Sequence, residues 1–315
     1  MGHAGRWQGW KRAAATAGGA VVLAAGLITG PAASAATRVC RSPSPASAAL
    51  AARLSHRIRA AVRHRSSRVG IAVDDPSLGI TCAYHGSRHF YSASVVKVTI
   101  LAALLRKAHH QHRRLSPHEL AEAWRMITRS DNAAASDLWD DVGRYRLGRL
   151  LTLAGMRHTT LGPGGYWGLT RITAGDESLL LQLVLRSNPV LTHADRGYVL
   201  HLMSRVTRSQ RWGTPAGVPR RFRVHVKNGW LPLPGLGWII NSLGIFTLPG
   251  HSYTMAVLTD RNPGMGYGIG TVEDVATAVN RGLNPRAKSR VARSGPAATW
   301  GRPDEAIPLH AIPPP

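Results

Sequence analysis

Three short groups of residues combine reactive side chains at spacings that bring them together. The first is Ser94-Val95-Val96-Lys97, followed by the apolar-rich Val98-Thr99-Ile100-Leu101. A serine hydroxyl is a weak nucleophile until a neighbouring base takes its proton. Residues three apart share a helix face, so Lys97 comes within reach of Ser94. A helix start also offers backbone N–H groups and partial positive charge to an oxyanion, and burial there lowers a lysine toward a usable base. The second group, Ser130-Asp131-Asn132, supplies a hydroxyl that can pass a proton to a leaving nitrogen and an amide that can hold a carbonyl. The third, Lys227-Asn228-Gly229, sets a cation for a carboxylate beside a glycine that lets backbone approach closely. Each has a plainer reading alone: a capping serine with a surface lysine, a helix N-cap, an ordinary strand end. Yet the chain has only five lysines, Lys11, Lys97, Lys107, Lys227 and Lys288, among 40 basic residues, and two of the five fall in these groups.

The elements that must position these groups follow from periodicity. Residues 50–63 carry Leu50, Leu54, Ile58 and Val62 on one helical face. Residues 68–74 and 78–84 read as two strands around the turn Asp75-Pro76-Ser77. Helices are predicted at 94–107, 117–128, 132–142, 147–153, 173–185 and 194–206, with Thr173 and Asp176 as a capping box. Strands follow at 222–228, 237–247 and 253–259, then a closing helix at 271–283. Neither strand set is a stable sheet by itself. The expectation is an α/β chain of α+β type: one antiparallel five-stranded sheet flanked by helices, with an all-helical lobe at about 94–208 inserted between the strands. A cleft between lobe and sheet would hold the site.

Together the motifs resemble the S-x-x-K, S-D-N and K-[TS]-G set of the penicillin-recognising serine enzymes, and the chain looks like a class A β-lactamase-related serine hydrolase over about 50–283. The resemblance implies a β-lactamase/transpeptidase-like fold and an acyl-enzyme mechanism without cofactor or metal. It makes Ser94 the nucleophile, Lys97 its base or proton shuttle, and Ser130 the donor to the leaving nitrogen. Asn132 would hold the amide carbonyl, and Lys227, Asn228 and Gly229 would receive the rest of the substrate. The backbone N–H groups of Ser94 and Trp230 would form the oxyanion hole. Two departures stand out. Asn228 replaces the usual Thr or Ser, which weakens carboxylate binding. Where true class A enzymes carry a glutamate that activates the deacylating water, no Asp or Glu occurs between Asp141 and Asp176. Leu161-Gly162-Pro163-Gly164-Gly165-Tyr166-Trp167-Gly168 is glycine-rich and aromatic instead. Asp176 is taken up in capping and Glu177 is expected to face away. Acylation by a β-lactam or D-alanyl-type amide with slow deacylation is the expected behaviour. The alternatives are a D,D-carboxypeptidase-like or other amide or ester hydrolase, or a catalytically weak cell-wall-binding module.

The flanks and composition bound the rest. In 315 residues, 44% hydrophobic and 18% charged, there is material for a real core and no sign of a coiled coil or acidic tail. Residues 1–35 read as a secretory signal peptide: Arg6, Lys11 and Arg12 precede a small-residue apolar run ending in Ala33-Ser34-Ala35. No stable membrane anchor is expected, and localisation is secreted, with association to the cell wall. Residues 36–47 look like a flexible leader, 48–284 the hydrolase domain, and 285–315 a disordered Pro/Arg-rich tail. Cys40 and Cys82 either pair or leave one buried and one loose thiol; outside the cell the pair is favoured. The net charge of +24 suits an anionic cell-wall polymer, or reflects arginine usage spread over the surface. No nucleic-acid motif accompanies it, and a monomer acting on a small-molecule or peptidoglycan-derived substrate is expected. His109, His110 and His112 have no acid or cysteine close by and read as a solvated helix end rather than metal ligands. His225 shares a strand face with Lys227 and reads as structural.

Overall fold

The computed structural model describes residues 38–285; the expected signal peptide, and all but the first residue of the expected tail, lie outside them. Eight strands occur: β1 (Cys40–Arg41), β2 (Arg68–Asp75), β3 (Ile80–Tyr84), β4 (His89–Tyr91), β5 (Arg171–Thr173), β6 (Arg223–Leu233), β7 (Gly237–Leu248) and β8 (His251–Asn262). Six form one antiparallel sheet in the order β1-β3-β2-β8-β7-β6, and β4 pairs with β5 in a separate ribbon. The sheet closes only when β2 pairs with β8, Arg68 opposite Asp260 and Asp74 opposite Thr254, joining the two ends of the domain. β2, β7 and β8 are buried along nearly their whole length, so their apolar runs are near-continuous rather than alternating.

Among the described residues there are seven α-helices: α1 (Pro45–Val62), α2 (Lys97–His110), α3 (Pro117–Thr128), α4 (Asn132–Leu153), α5 (Ala174–Leu185), α6 (His193–Ser204) and α7 (Met265–Leu283). α1 packs on α7, which lies on β7 and β8, while α2, α3 and α4 pack on one another. α5 lies against β2, β7 and β8, so the segment 94–208 is not helical lobe throughout. The helices predicted at 132–142 and 147–153 are the two halves of α4, broken at Gly143. Among the described residues, no helix is long and apolar enough to cross a membrane.

The sheet has six strands where five were expected. The sixth, Cys40–Arg41, falls in the segment read as a flexible leader, and α1 also begins inside it at Pro45. Two residues are too few to show strand alternation. What holds them is long-range: Cys40 lies directly opposite Cys82 and is disulfide-bonded to it, and its N–H donates to Ser55 Oγ at 2.9 Å.

Glu177, expected to face away from the motif residues, makes no hydrogen bond to them among the described residues. It is fully buried on α5, and neither carboxylate oxygen has a hydrogen-bond partner among the described residues. Burial, aided by the neighbouring Asp176 charge, pushes its carboxyl up to about 8. The capping box is half made: Thr173 Oγ1 accepts from Asp176 N at 3.1 Å, whereas the Asp176 carboxylate accepts from His158 N and Thr159 Oγ1 at 2.8 and 2.7 Å.

Two stability tests follow. The disulfide closes a loop of sequence separation 42, so the double variant Cys40→Ser/Cys82→Ser is expected to lose about 2–4 kcal/mol in denaturant unfolding; an unchanged midpoint would show that β1 adds nothing. Glu177→Met is expected to gain about 1–3 kcal/mol at neutral pH by removing an unsatisfied buried carboxyl. Glu177 titrates at about 8 when folded, above its unfolded value of about 4.3. Its contribution is therefore complete below the unfolded value and lost as pH rises through the folded one. The advantage of Glu177→Met should widen across that window, as equilibrium unfolding at several pH values will read.

Candidate active site

Ser94 does not open a regular α-helix. It lies in a 3-10 turn, Ala93–Val96, and α2 begins at Lys97. Lys97 follows the turn directly, as its C-cap. Ser94 is half-buried and Lys97 fully buried. The turn is pinned from the sheet by Asn241 of β7, whose Nδ2 donates to the carbonyls of Tyr91 and Ser92 at 2.8 and 3.0 Å. Sequence reading did not single out Asn241; a buried asparagine in an apolar strand was the available signal.

β6 is the edge strand of the sheet, and it meets this turn. Gly229 makes the meeting close: a Cβ there would sit 2.8 Å from Ser94 N and 2.9 Å from Val95 N. Trp230 follows, half-buried, with its ring 6.1 Å from that of Trp212. The strand edge and the Ser94 amide are thus neighbours.

Asp131 caps α4 by accepting from Ala134 N at 2.9 Å. Capping is therefore done by the middle residue of Ser130-Asp131-Asn132, and the outer two turn to Lys97. Ser130 has a left-handed φ of 60°, a conformation that a non-glycine residue rarely adopts. Its carbonyl accepts from Lys97 Nζ at 2.6 Å, as does Asn132 Oδ1 at 2.6 Å. The Ser130 hydroxyl lies 3.3 Å from Lys97 Nζ and 2.9 Å from Lys227 Nζ. Two buried lysines therefore share one hydroxyl, a geometry through which a proton can pass. Lys227 also donates to the Asn228 carbonyl at 2.8 Å, and burial pulls its amine down to about 7. Lys97 has one further neighbour that sequence reading missed: its Nζ lies 4.7 Å from the centre of the Trp167 ring.

Asn228 is placed differently from expectation. It is fully buried, and its Nδ2 donates to the carbonyls of Gln210 and Trp212 at 2.8 and 2.9 Å. Its amide stitches the segment before β6 to the strand instead of waiting for a carboxylate, because two backbone carbonyls there take both amide hydrogens. His225 is structural: Nδ1 lies 2.7 Å from Leu200 O and Nε2 3.0 Å from Thr247 Oγ1. A carbonyl only accepts, so Nδ1 carries the proton and Nε2 accepts from the threonine. Burial pulls this imidazole down to about 4 and keeps it neutral.

His109 and His110 end α2, where positive charge suits the helix dipole. Among the described residues, the fold assembles His118, Glu122 and Asp137 as a group of metal-ligand types, with one ligand atom from each within 4.8 Å of the others. Arg125 already bonds Glu122 there.

Fold and motif geometry together define a hydrolase of the β-lactamase superfamily, and comparison with known proteins agrees. A family model described as "Beta-lactamase enzyme family" matches residues 53–122 and 114–283, and the chain belongs to that family. No curated protein matches the sequence. Among solved structures, a β-lactamase from Sphaerobacter thermophilus is 21% identical with a TM-score of 0.64, over 74% of this chain and 96% of that one. A class A β-lactamase representative from Bacteroides cellulosilyticus is 18% identical with a TM-score of 0.65, over 74% and 98%. PBP-A is 19% identical with a TM-score of 0.65, over 74% and 96%. At these identities the likeness shows the fold.

The depressed Lys227 amine gives a test of the electrostatics. Its folded value of about 7 lies below the unfolded value of about 10.4. The unfolded state therefore binds more protons between these values, and stability attributable to Lys227 is present above the upper one and lost as pH falls through the lower. Wild type measured against Lys227→Met should gain stability from pH 7 to pH 10. A difference that stays flat would show that Lys227 keeps its charge when folded.

Proposed function

We propose that the chain is a secreted serine hydrolase acylated at Ser94 by a β-lactam or a D-alanyl-type amide, with slow release of the acyl group. The observation that carries this reading is the Ser130 hydroxyl set between two buried lysines, beside the turn that bears Ser94. In acylation, Ser94 Oγ attacks the carbonyl carbon and its proton passes to Lys97. The developing oxyanion is held by the N–H groups of Ser94 and Trp230. As the C–N bond breaks, Ser130 gives its proton to the leaving nitrogen and is reprotonated from the lysine side. With Oδ1 accepting from Lys97, Asn132 presents its Nδ2 donors to the substrate carbonyl. Lys227, when charged, attracts the substrate carboxylate, while Asn228 acts only through the segment that it holds.

Slow deacylation rests on the acid-free stretch between Asp141 and Asp176 and on the position of Glu177, spent inside α5 against the sheet. A PBP-A mutant has been solved as an acyl-enzyme complex with penicillin G, which makes penicillin a sensible first probe. Intact-mass measurement of the mature protein with penicillin should show a single stoichiometric adduct, absent from Ser94→Ala and lasting minutes or longer. Rapid turnover through Ser94 would keep the nucleophile and overturn the slow release. Neither adduct nor turnover would remove β-lactam chemistry from this protein.

A further inference from the structure

The segment from 161 to 170 is held against the nucleophile's own turn. Ser92, two residues before Ser94, donates its N–H to Thr170 O at 2.8 Å and its hydroxyl to the carbonyls of Trp167 and Gly168 at 3.4 and 3.3 Å. Within the segment, Gly162 N donates to Thr170 Oγ1 at 3.1 Å, and a Cβ on Gly162 would lie 2.0 Å from Tyr166 O, so only glycine fits. The Trp167 side chain is fixed separately, its indole Nε1 donating to Ser136 Oγ on α4 at 3.1 Å. With backbone tied to Ser92 and ring tied to α4, the indole face is presented to Lys97 Nζ at 4.7 Å from the ring centre.

That separation decides what can enter. Heavy atoms in contact sit about 3.5 Å apart, so little more than 1 Å of clearance is left between ammonium and ring, and a water about 2.8 Å across does not fit. We infer that Trp167 is a positioning residue that both orients Lys97 and shuts water out of the acyl-enzyme on this side, setting the lifetime of the acyl group. The inference rests on the acylation reading above and adds the residue responsible for its slow second step. In that step a water oxygen bonds to the ester carbonyl carbon, the bond from that carbon to Ser94 Oγ breaks, and the water's proton returns to Oγ. The aromatic face offers no base for this proton, and at 4.7 Å it leaves no room for a water between itself and Lys97 Nζ. By packing against Nζ it keeps Lys97 directed toward Ser130 and Asn132.

Two roles for one ring give opposite signs, and this makes the test specific. In Trp167→Ala, acylation by penicillin should slow several-fold because Lys97 loses its support. The adduct should decay about tenfold faster, equivalent to about 1.4 kcal/mol on the barrier, because water enters. Trp167→Phe keeps a ring over Lys97 and should restore a long adduct lifetime without the bond to Ser136. Stopped-flow acylation and intact-mass decay measure the two steps separately, and thermal melts show whether each variant is folded. A purely structural role would slow both steps in folded Trp167→Ala, and would overturn the inference, as would an unchanged decay rate. An adduct absent from wild type and both variants would overturn the acylation reading, and this gate with it.

Discussion

Burying two lysines within reach of one hydroxyl is the constraint around which this site is built. A buried ammonium is costly unless it is hydrogen-bonded. Lys97 is answered by the carbonyl of Ser130, the amide oxygen of Asn132 and the face of Trp167, and Lys227 by Ser130 Oγ and the Asn228 carbonyl. Desolvation pulls Lys227 down to about 7, where it can change protonation state at little cost. Ser130 meets both lysines from a left-handed backbone conformation, a strain that its contacts must hold in place. The tension between burial and charge is thus what a proton-passing network at neutral pH requires.

This network has meaning only if the helical elements close on the sheet edge in one way. α2 brings Lys97, α4 brings Asn132, and the junction before α4 brings Ser130; β6 brings Lys227 and Gly229. The contact that sets their separation is the one where Gly229 leaves no room for a side chain against Ser94 N. Asn241 fixes the other side by gripping the carbonyls of Tyr91 and Ser92 from the central sheet. Strands buried along nearly all their length move little, because close-packed interiors resist deformation, and the nucleophile's turn inherits their rigidity. Pairing of β2 with β8 extends that rigidity to both ends of the domain.

A shared fold does not fix a reaction, and the differences here lie in side chains that the fold leaves open. The segment beside Lys97 presents an indole and contains no carboxylate, and the acids that follow it in sequence are used elsewhere. Asp176 holds the loop at 158–159, and Glu177 is buried without a partner. Asn228 holds backbone rather than facing a substrate. The three motifs and the segment at 161–170 are held by different tethers, so one can change without the other.

Much of this was legible in the sequence because it depends on local spacing. Ser94 and Lys97 three apart, the Ser130-Asp131-Asn132 trio between helices, the order of the helices and of the five longer strands, and the acid-free stretch all follow from short-range periodicity or direct reading; β1, β4 and β5, two or three residues each, are too short to show a period. The Ser94–Lys97 spacing and the absence of a carboxylate from 142 to 175 are properties of the chain alone. What tertiary structure decided is which of two chemically possible partners each side chain takes. Asp131 rather than Ser130 caps α4, Asn228 turns to Gln210 and Trp212, Glu177 goes inward, and Cys40 makes a sixth strand opposite Cys82. Trp167 meets Lys97 across a separation of 70 residues in sequence. Periodicity gives the face on which a residue lies, but the partner on that face comes from a distant segment, and only the packed fold selects it.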